Sequence, residues 1–198
     1  MAVSPVLVFD IETIPDIAGL RALRGASASL SDAEVYAAEL DERKAANKSD
    51  MMPLYLQRVL VISCVFRSAK GLTVQSFADR NGNEEGALIQ TFFDKLEKHQ
   101  PQLVSWNGGG FDLPVLNYRG LRHGVVADKY WDLGEDDREY KWNNYISRYH
   151  TRHLDLMDLL AMYQPRASVP LDDLAKLCGF PGKLGMDGSQ VFITSVSQ

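Results

Sequence analysis

Asp10 and Glu12, in Phe9-Asp10-Ile11-Glu12-Thr13, are two carboxylates separated by one apolar residue at the end of an apolar run. On an extended segment the side chains at i and i+2 project to the same face, so both acids point one way. Two anions side by side on a buried strand repel and are costly to desolvate unless a cation sits between them. Oxygen ligands of this kind suit Mg²⁺ or Mn²⁺. A bare Asp-x-Glu is more often just a strand running into a solvated loop, here before Pro15. Specificity rises with a second acid-bearing motif, Trp106-Asn107-Gly108-Gly109-Gly110-Phe111-Asp112. Its glycines let the backbone approach a ligand, Asn107 offers an amide at a strand end, and Asp112 sits near a helix start, where plain N-capping is the simpler use. No Gly-Lys-Ser/Thr follows, which excludes a phosphate-binding Walker loop.

The elements that must position these acids follow from periodicity. Ser4–Asp10 is a continuous apolar run and predicts a central strand buried on both faces. Arg58–Phe66 is β-branched and strand-like, and Leu72–Phe77 alternates as its hairpin partner after the Ser68–Gly71 turn. Ser31 followed by Glu34 fits a capping box for a peripheral helix to about Ala46. Leu88, Ile89, Phe92, Phe93 and Leu96 recur at helical spacing and form core, with Pro101 beyond the helix end. Gln102–Trp106 is a short strand, and Asp112 opens a helix carrying Leu113, Leu116 and Leu121, with Pro114 tolerated in its first turn. His153-Leu154-Asp155-Leu156 is a fifth strand, and Leu171–Cys178 a helix stopped by Gly179. The order predicts an α/β fold: a mixed five-stranded sheet, three antiparallel strands then two parallel, with helices on both faces. Ribonuclease H-like domains are built this way. Excursions interrupt it at about 14–57 and 125–152.

Composition agrees with one globular domain over residues 1–198. A chain of 198 residues with 45% hydrophobic and 24% charged residues is neither disordered, collagenous nor a coiled coil. Domains of this size hide roughly 70% of their unfolded surface, so no disulfide is needed. Cys64 and Cys178, each among apolar neighbours, are expected to be buried thiols without a disulfide partner. No apolar run is long enough to span a membrane and the first residues lack a basic signal-peptide region, so a cytoplasmic location is expected. The net charge of −5 argues against coating nucleic acid by bulk charge.

Phe-Asp-Ile-Glu-Thr followed by Trp-Asn-Gly-Gly-Gly-Phe-Asp-Leu-Pro-Val-Leu resembles the first two exonuclease motifs of the DEDD superfamily. More narrowly, matching residues from Val6 to Phe192, among them Leu154–Leu159 and Gly179–Val191, are similar to the bacterial stand-alone relatives of the proofreading 3′–5′ exonuclease domain of family-B DNA polymerases. The resemblance implies two-metal phosphodiester hydrolysis at the 3′ end of single-stranded DNA, with Asp10, Glu12 and Asp112 as metal-binding and catalytic carboxylates and Mg²⁺ or Mn²⁺ as cofactor. Ile11, Thr13, Trp106, Asn107 and Phe111, inside the same motifs, are expected beside the substrate. The Tyr-x-x-x-Asp that supplies the fourth acid in the tyrosine branch is absent, and the chain is expected to stop before the family's last helix. His-x-x-x-x-Asp occurs at His123 to Asp128 and His150 to Asp155, outside a suitable helix. Activity is therefore expected to be impaired. Asp155, Asp158, Asp172 and Asp187 are conceivable replacements for the missing acid, and Asp155 on a buried strand wants a basic partner or the metal.

From Arg138 to His153, Arg138, Lys141, Arg148 and Arg152 interleave with Tyr140, Trp142, Tyr145 and Tyr149. Cations among rings suit a single-strand path, where a stacked base contributes ~1–3 kcal/mol, and they equally suit aromatics packed inward with cations outward. Arg148 and Arg152 are the expected strand contacts. His150 and His153 have metal-pair spacing but no Cys or third His nearby, which makes zinc a poor choice. A non-catalytic nucleic-acid-binding or scaffold domain, and an exonuclease of RNA or short oligonucleotides, are the alternatives.

Overall fold

Val6–Pro15 (β1), Gln57–Ser68 (β2) and Gly71–Ala78 (β3) form an antiparallel unit, and Gln102–Ser105 (β4) and His153–Asp155 (β5) continue it in parallel. The strand order is β3-β2-β1-β4-β5 in this computed structural model, which describes residues 4–182. This is the mixed sheet that the sequence predicts. Ile17–Arg24 (α1) and Asp32–Ala45 (α2) fill the first excursion, Glu85–His99 (α3) and Asp112–His123 (α4) flank β4, and Asp128–Trp131 (α5), Leu156–Leu160 (α6) and Leu171–Leu177 (α7) complete the helices among the described residues. The Ser31 capping box is present, each partner bonding the other's backbone amide.

β1 differs from expectation in two ways. It runs on to Pro15, so Glu12 lies inside the strand opposite Val61 rather than in a loop. It is also buried on one face only among the described residues: Leu7, Phe9 and Ile11 are in the core, whereas Val8 is 41% exposed and Asp10 is exposed. The period of two decides this, since alternate residues of even a central strand meet different layers.

The core lies between Leu7, Phe9 and Ile11 of β1, Ile62 and Cys64 of β2, and the apolar faces of α3 and α4. Leu88, Ile89, Phe92, Phe93 and Leu96 all face it, as their spacing requires. Leu121 does not and is 83% exposed; the inner stripe of α4 is Leu113, Leu116, Arg119 and Gly120. Tyr130, Tyr140 and Tyr145 fold inward from the second excursion, and a smaller cluster of Leu20, Val35, Met52 and Leu56 holds the first. Cys64 is buried, but Cys178 is exposed at the end of α7, a helix with no buried residue. No helix among the described residues is long and apolar enough to cross a membrane.

Candidate active site

The β1–β4 ladder ends at Val8 opposite Val104, where the parallel strands part. Such divergence at the carboxyl ends of strands opens a crevice in α/β sheets. Asp112, in the first turn of α4, reaches into it: its Oδ1 accepts the Ile11 amide at 3.1 Å. The carboxylate is thus hung on β1 between the two strand acids instead of capping its own helix. It is 4% exposed, and burial followed by the charge of Asp10 pushes it up to about 7, with Asp155 adding to the effect. Asp10 and Glu12 share the more open face of β1, and a register slip directly after Glu12 bends the strand there.

Oxygen-only donors, one of them kept partly protonated by burial and the charge of Asp10, fit a hard divalent cation in chemistry. Among the described residues no three His, Cys, Asp or Glu side chains converge closely enough to hold an ion. The fit rests on Asp10 and Asp112, with Glu12 on the same strand.

The turn before α4 has its own geometry. Asn107 has φ +62°, and its carbonyl accepts the amides of Gly110 at 3.0 Å and Phe111 at 2.9 Å. A Cβ on Gly108 would stand 2.3 Å from Ser105 Oγ, so only glycine fits there. Ser105 Oγ is paired with His153 Nε2 at 2.8 Å, and His150 Nδ1 accepts the Asn144 amide at 3.0 Å. Asp155 meets main-chain donors rather than a basic side chain. Its oxygens accept the backbone amides of Asn107 (2.8 Å) and Gly109 (2.9 Å), and it caps α6 through Met157 (3.1 Å).

The remaining expected contacts divide. Trp106, Asn107 and Phe111 are half-buried around the turn. Ile11 sends its side chain into the core, leaving only its backbone at the site, and Thr13 donates its hydroxyl to Gln57 Oε1. A cleft of about 420 Å³ opens beside the turn, with Trp131, Ile146 and Arg148 along it. Arg148 is held there by two hydrogen bonds to Asp158, at 2.6 and 2.7 Å. Arg152, half-buried, stacks 4.0 Å from the buried Tyr140 ring and donates to the Asn143 carbonyl, so its guanidinium is anchored on the second excursion. The basic and aromatic segment is therefore mixed: Tyr140 and Tyr145 pack inward, while Trp142 and Tyr149 are exposed.

The buried charge network behind the site has no counterpart in the sequence reading. Arg119, 2% exposed, bonds Glu85 at 2.8 and 2.5 Å and Asp16 at 2.5 Å; Glu85 also accepts the Val59 amide, and His123 Nε2 lies 2.8 Å from it. Burial pushes both carboxyls up, but hydrogen bonds from Arg119 and from backbone amides outweigh it and hold them below the usual carboxylate range. An arginine on the stripe of Leu113 and Leu116 is the signal that could have revealed it.

Residues 49–196 match the family described as a predicted 3′–5′ exonuclease related to the exonuclease domain of PolB. Among solved structures, the chain is similar to the family B DNA polymerase from the hyperthermophilic archaeon Pyrobaculum calidifontis: TM-score 0.55, 16% identity, covering 96% of this chain and 20% of that one. It also aligns with E. coli exonuclease I in complex with a 5cy-dT13 oligonucleotide, at TM-score 0.42 and 14% identity over 91% of this chain and 37% of that one. The chain thus spans about a fifth of the length of the polymerase. A search of curated proteins finds no match. The fold is ribonuclease H-like.

Proposed function

The chain belongs to the family of predicted 3′–5′ exonucleases related to the exonuclease domain of PolB, and from that membership we propose that it is a metal-dependent nuclease acting at the 3′ ends of single-stranded DNA. One observation carries the reading: a buried carboxylate, Asp112, hung on the Ile11 amide opposite Asp10. Burying an anion beside another anion costs stability and gives none back to the fold, which is the pattern of a functional site.

Asp10, Glu12 and Asp112 would hold the ions. Two bound Mg²⁺ or Mn²⁺ ions supply an activated water and stabilise the charge on the departing 3′ oxygen. The Ile11 amide keeps one oxygen of Asp112 fixed on β1 and leaves the other for ligation. The proton that Asp112 carries near neutrality must leave for it to ligate. The half-buried Trp106, Asn107 and Phe111 suit the terminal nucleotides, and Arg148 at the cleft suits a phosphate or base further along the strand.

No Tyr-x-x-x-Asp occurs in the 198 residues, so turnover is expected to be slow. Of the acids that could substitute, Asp155 is engaged by backbone amides, Asp158 by Arg148 and Asp172 by Lys176, while Asp187 lies outside the described residues. That no three metal-ligating side chains converge among the described residues favours, as second reading, a domain that binds strands without cutting them.

The test is Mn²⁺-dependent release of mononucleotides from 5′-labelled deoxy- and ribo-oligonucleotides, compared with Asp10→Ala and with EDTA. Slow release from the 3′ end, lost in Asp10→Ala, is expected. Strand binding without release would favour the second reading, fast release would refute the impairment, and faster cleavage of RNA would reassign the substrate.

A further inference from the structure

We propose that Asp155 is a positioning residue: its carboxylate clamps the Asn107–Gly109 turn onto the sheet and so sets where Asp112 meets β1. The inference rests on the reading of Asp112 as a metal-binding carboxylate. Asp155 stands in register with Ser105 at the ends of the parallel strands β5 and β4, directly beneath the turn. Both its oxygens are used by main-chain donors, Asn107 and Met157 on Oδ1 and Gly109 on Oδ2, at 2.8 to 3.1 Å. Bonds from amides to an ionised acceptor are short and roughly twice as strong as neutral ones.

The turn needs such a clamp. Asn107 holds a left-handed φ of +62°, and Gly108 is pressed so closely on Ser105 that a Cβ would come within 2.3 Å of its Oγ. Ser105 is itself held by the buried His153, so two side chains of β5 anchor the turn, one through Ser105 and one directly. From there the connection to the site is short. The Gly108 carbonyl accepts the Leu113 amide at 2.8 Å and the Asn107 carbonyl the Phe111 amide at 2.9 Å, so the turn fixes the first residues of α4. Asp112 lies between those two residues and touches the Ile11 amide at 3.1 Å. A shift of the turn by an ångström would carry Asp112 off that amide and away from Asp10. Groups that orient metal ligands without touching the metal typically cost 10–100-fold in affinity or activity when removed.

The probe is Mn²⁺ alone, titrated by calorimetry into wild type, Asp155→Asn, Asp155→Ala and, as a control remote from the turn, Ser31→Ala. Asparagine keeps one acceptor but turns an NH₂ toward a backbone N–H, so it breaks part of the clamp in a folded protein. Mn²⁺ affinity is expected to fall about 10-fold or more in Asp155→Asn and further in Asp155→Ala, with Ser31→Ala unchanged. Amide exchange at Asn107 and Gly109 should accelerate in parallel, and in the nuclease assay kcat should fall with KM within about twofold. Unchanged Mn²⁺ affinity despite faster exchange overturns the proposal. So does a Mn²⁺-bound structure in which Asp155 ligates the ion. If wild type binds no Mn²⁺, the metal reading of Asp112 fails, and unaccelerated exchange in Asp155→Asn would then overturn the clamp as well.

Discussion

Replacing Asp112 with asparagine should make the protein more stable at neutral and alkaline pH. The side chain is 4% exposed, and burial together with Asp10 raises its carboxyl from an ordinary 3.8 to about 7. The folded chain therefore keeps a proton through a window in which the unfolded chain has released it. Stability contributed by that proton is full below the unfolded value and is lost as pH rises through the folded one. At about 1.36 kcal/mol per unit, a rise of ~3 units places the penalty at pH 8 on the order of 4 kcal/mol. For a domain of this size that corresponds to roughly 8–16 °C in Tm. Asparagine has the same shape, can keep the bond from Ile11, and carries no charge. Urea unfolding in EDTA at pH 4, 6 and 8 reads the difference directly: the gain of Asp112→Asn should be near zero at pH 4 and full at pH 8. A variant no more stable than wild type at pH 8, or a gain that does not vary with pH, refutes the picture of a buried carboxylate opposed by Asp10. Saturating Mn²⁺ should narrow the gap by stabilising wild type alone.

Arg119→Met removes the one buried cation shared by Asp16 and Glu85, leaving them the more exposed Arg122 at 3.4 Å and His123 at 2.8 Å, and should cost about 3–5 kcal/mol at pH 7, measured by urea unfolding. Both carboxyls sit below their ordinary range in the wild type, so their contribution is present above that range and lost as pH falls through the folded values; the variant, keeping only the backbone amides, Arg122 and His123 as partners, should show a weaker acid dependence. Thiol labelling should separate the cysteines. Cys178 is exposed and should react in the native protein, whereas Cys64, buried and pushed up to about 11, should react only on unfolding; native reactivity of Cys64 would contradict the core packing.

Much of the fold was legible because apolar period and fold geometry coincide. The stripe Leu88, Phe92, Leu96 had one place to go, and the Ser31–Glu34 pair started its helix locally. The two acid motifs were legible because their residue types are costly in strands and turns unless used. What was illegible is what depends on neighbours far apart in sequence. Val8 looked like core because it sits in an apolar run, yet it faces the open side of the sheet. That Arg152 lies among aromatic residues was legible, but not that Tyr140 is the ring beneath it. Asp155 looked like an acid in need of a cation, because backbone amides of a turn 46 and 48 residues away leave no mark near it in the chain.

By itself the sequence determined the sheet, the family resemblance and the two acid-bearing motifs from which the site is proposed, all carried by local pattern and residue type. Only the tertiary structure decided what each buried charge meets. Arg119 joins α3, α4 and the end of β1, and Asp112 crosses from α4 to the Ile11 amide over 101 residues of sequence. A charge is tolerable in a core only where partners converge from separate elements, and convergence is a property of packing in space, on which spacing along the chain is silent.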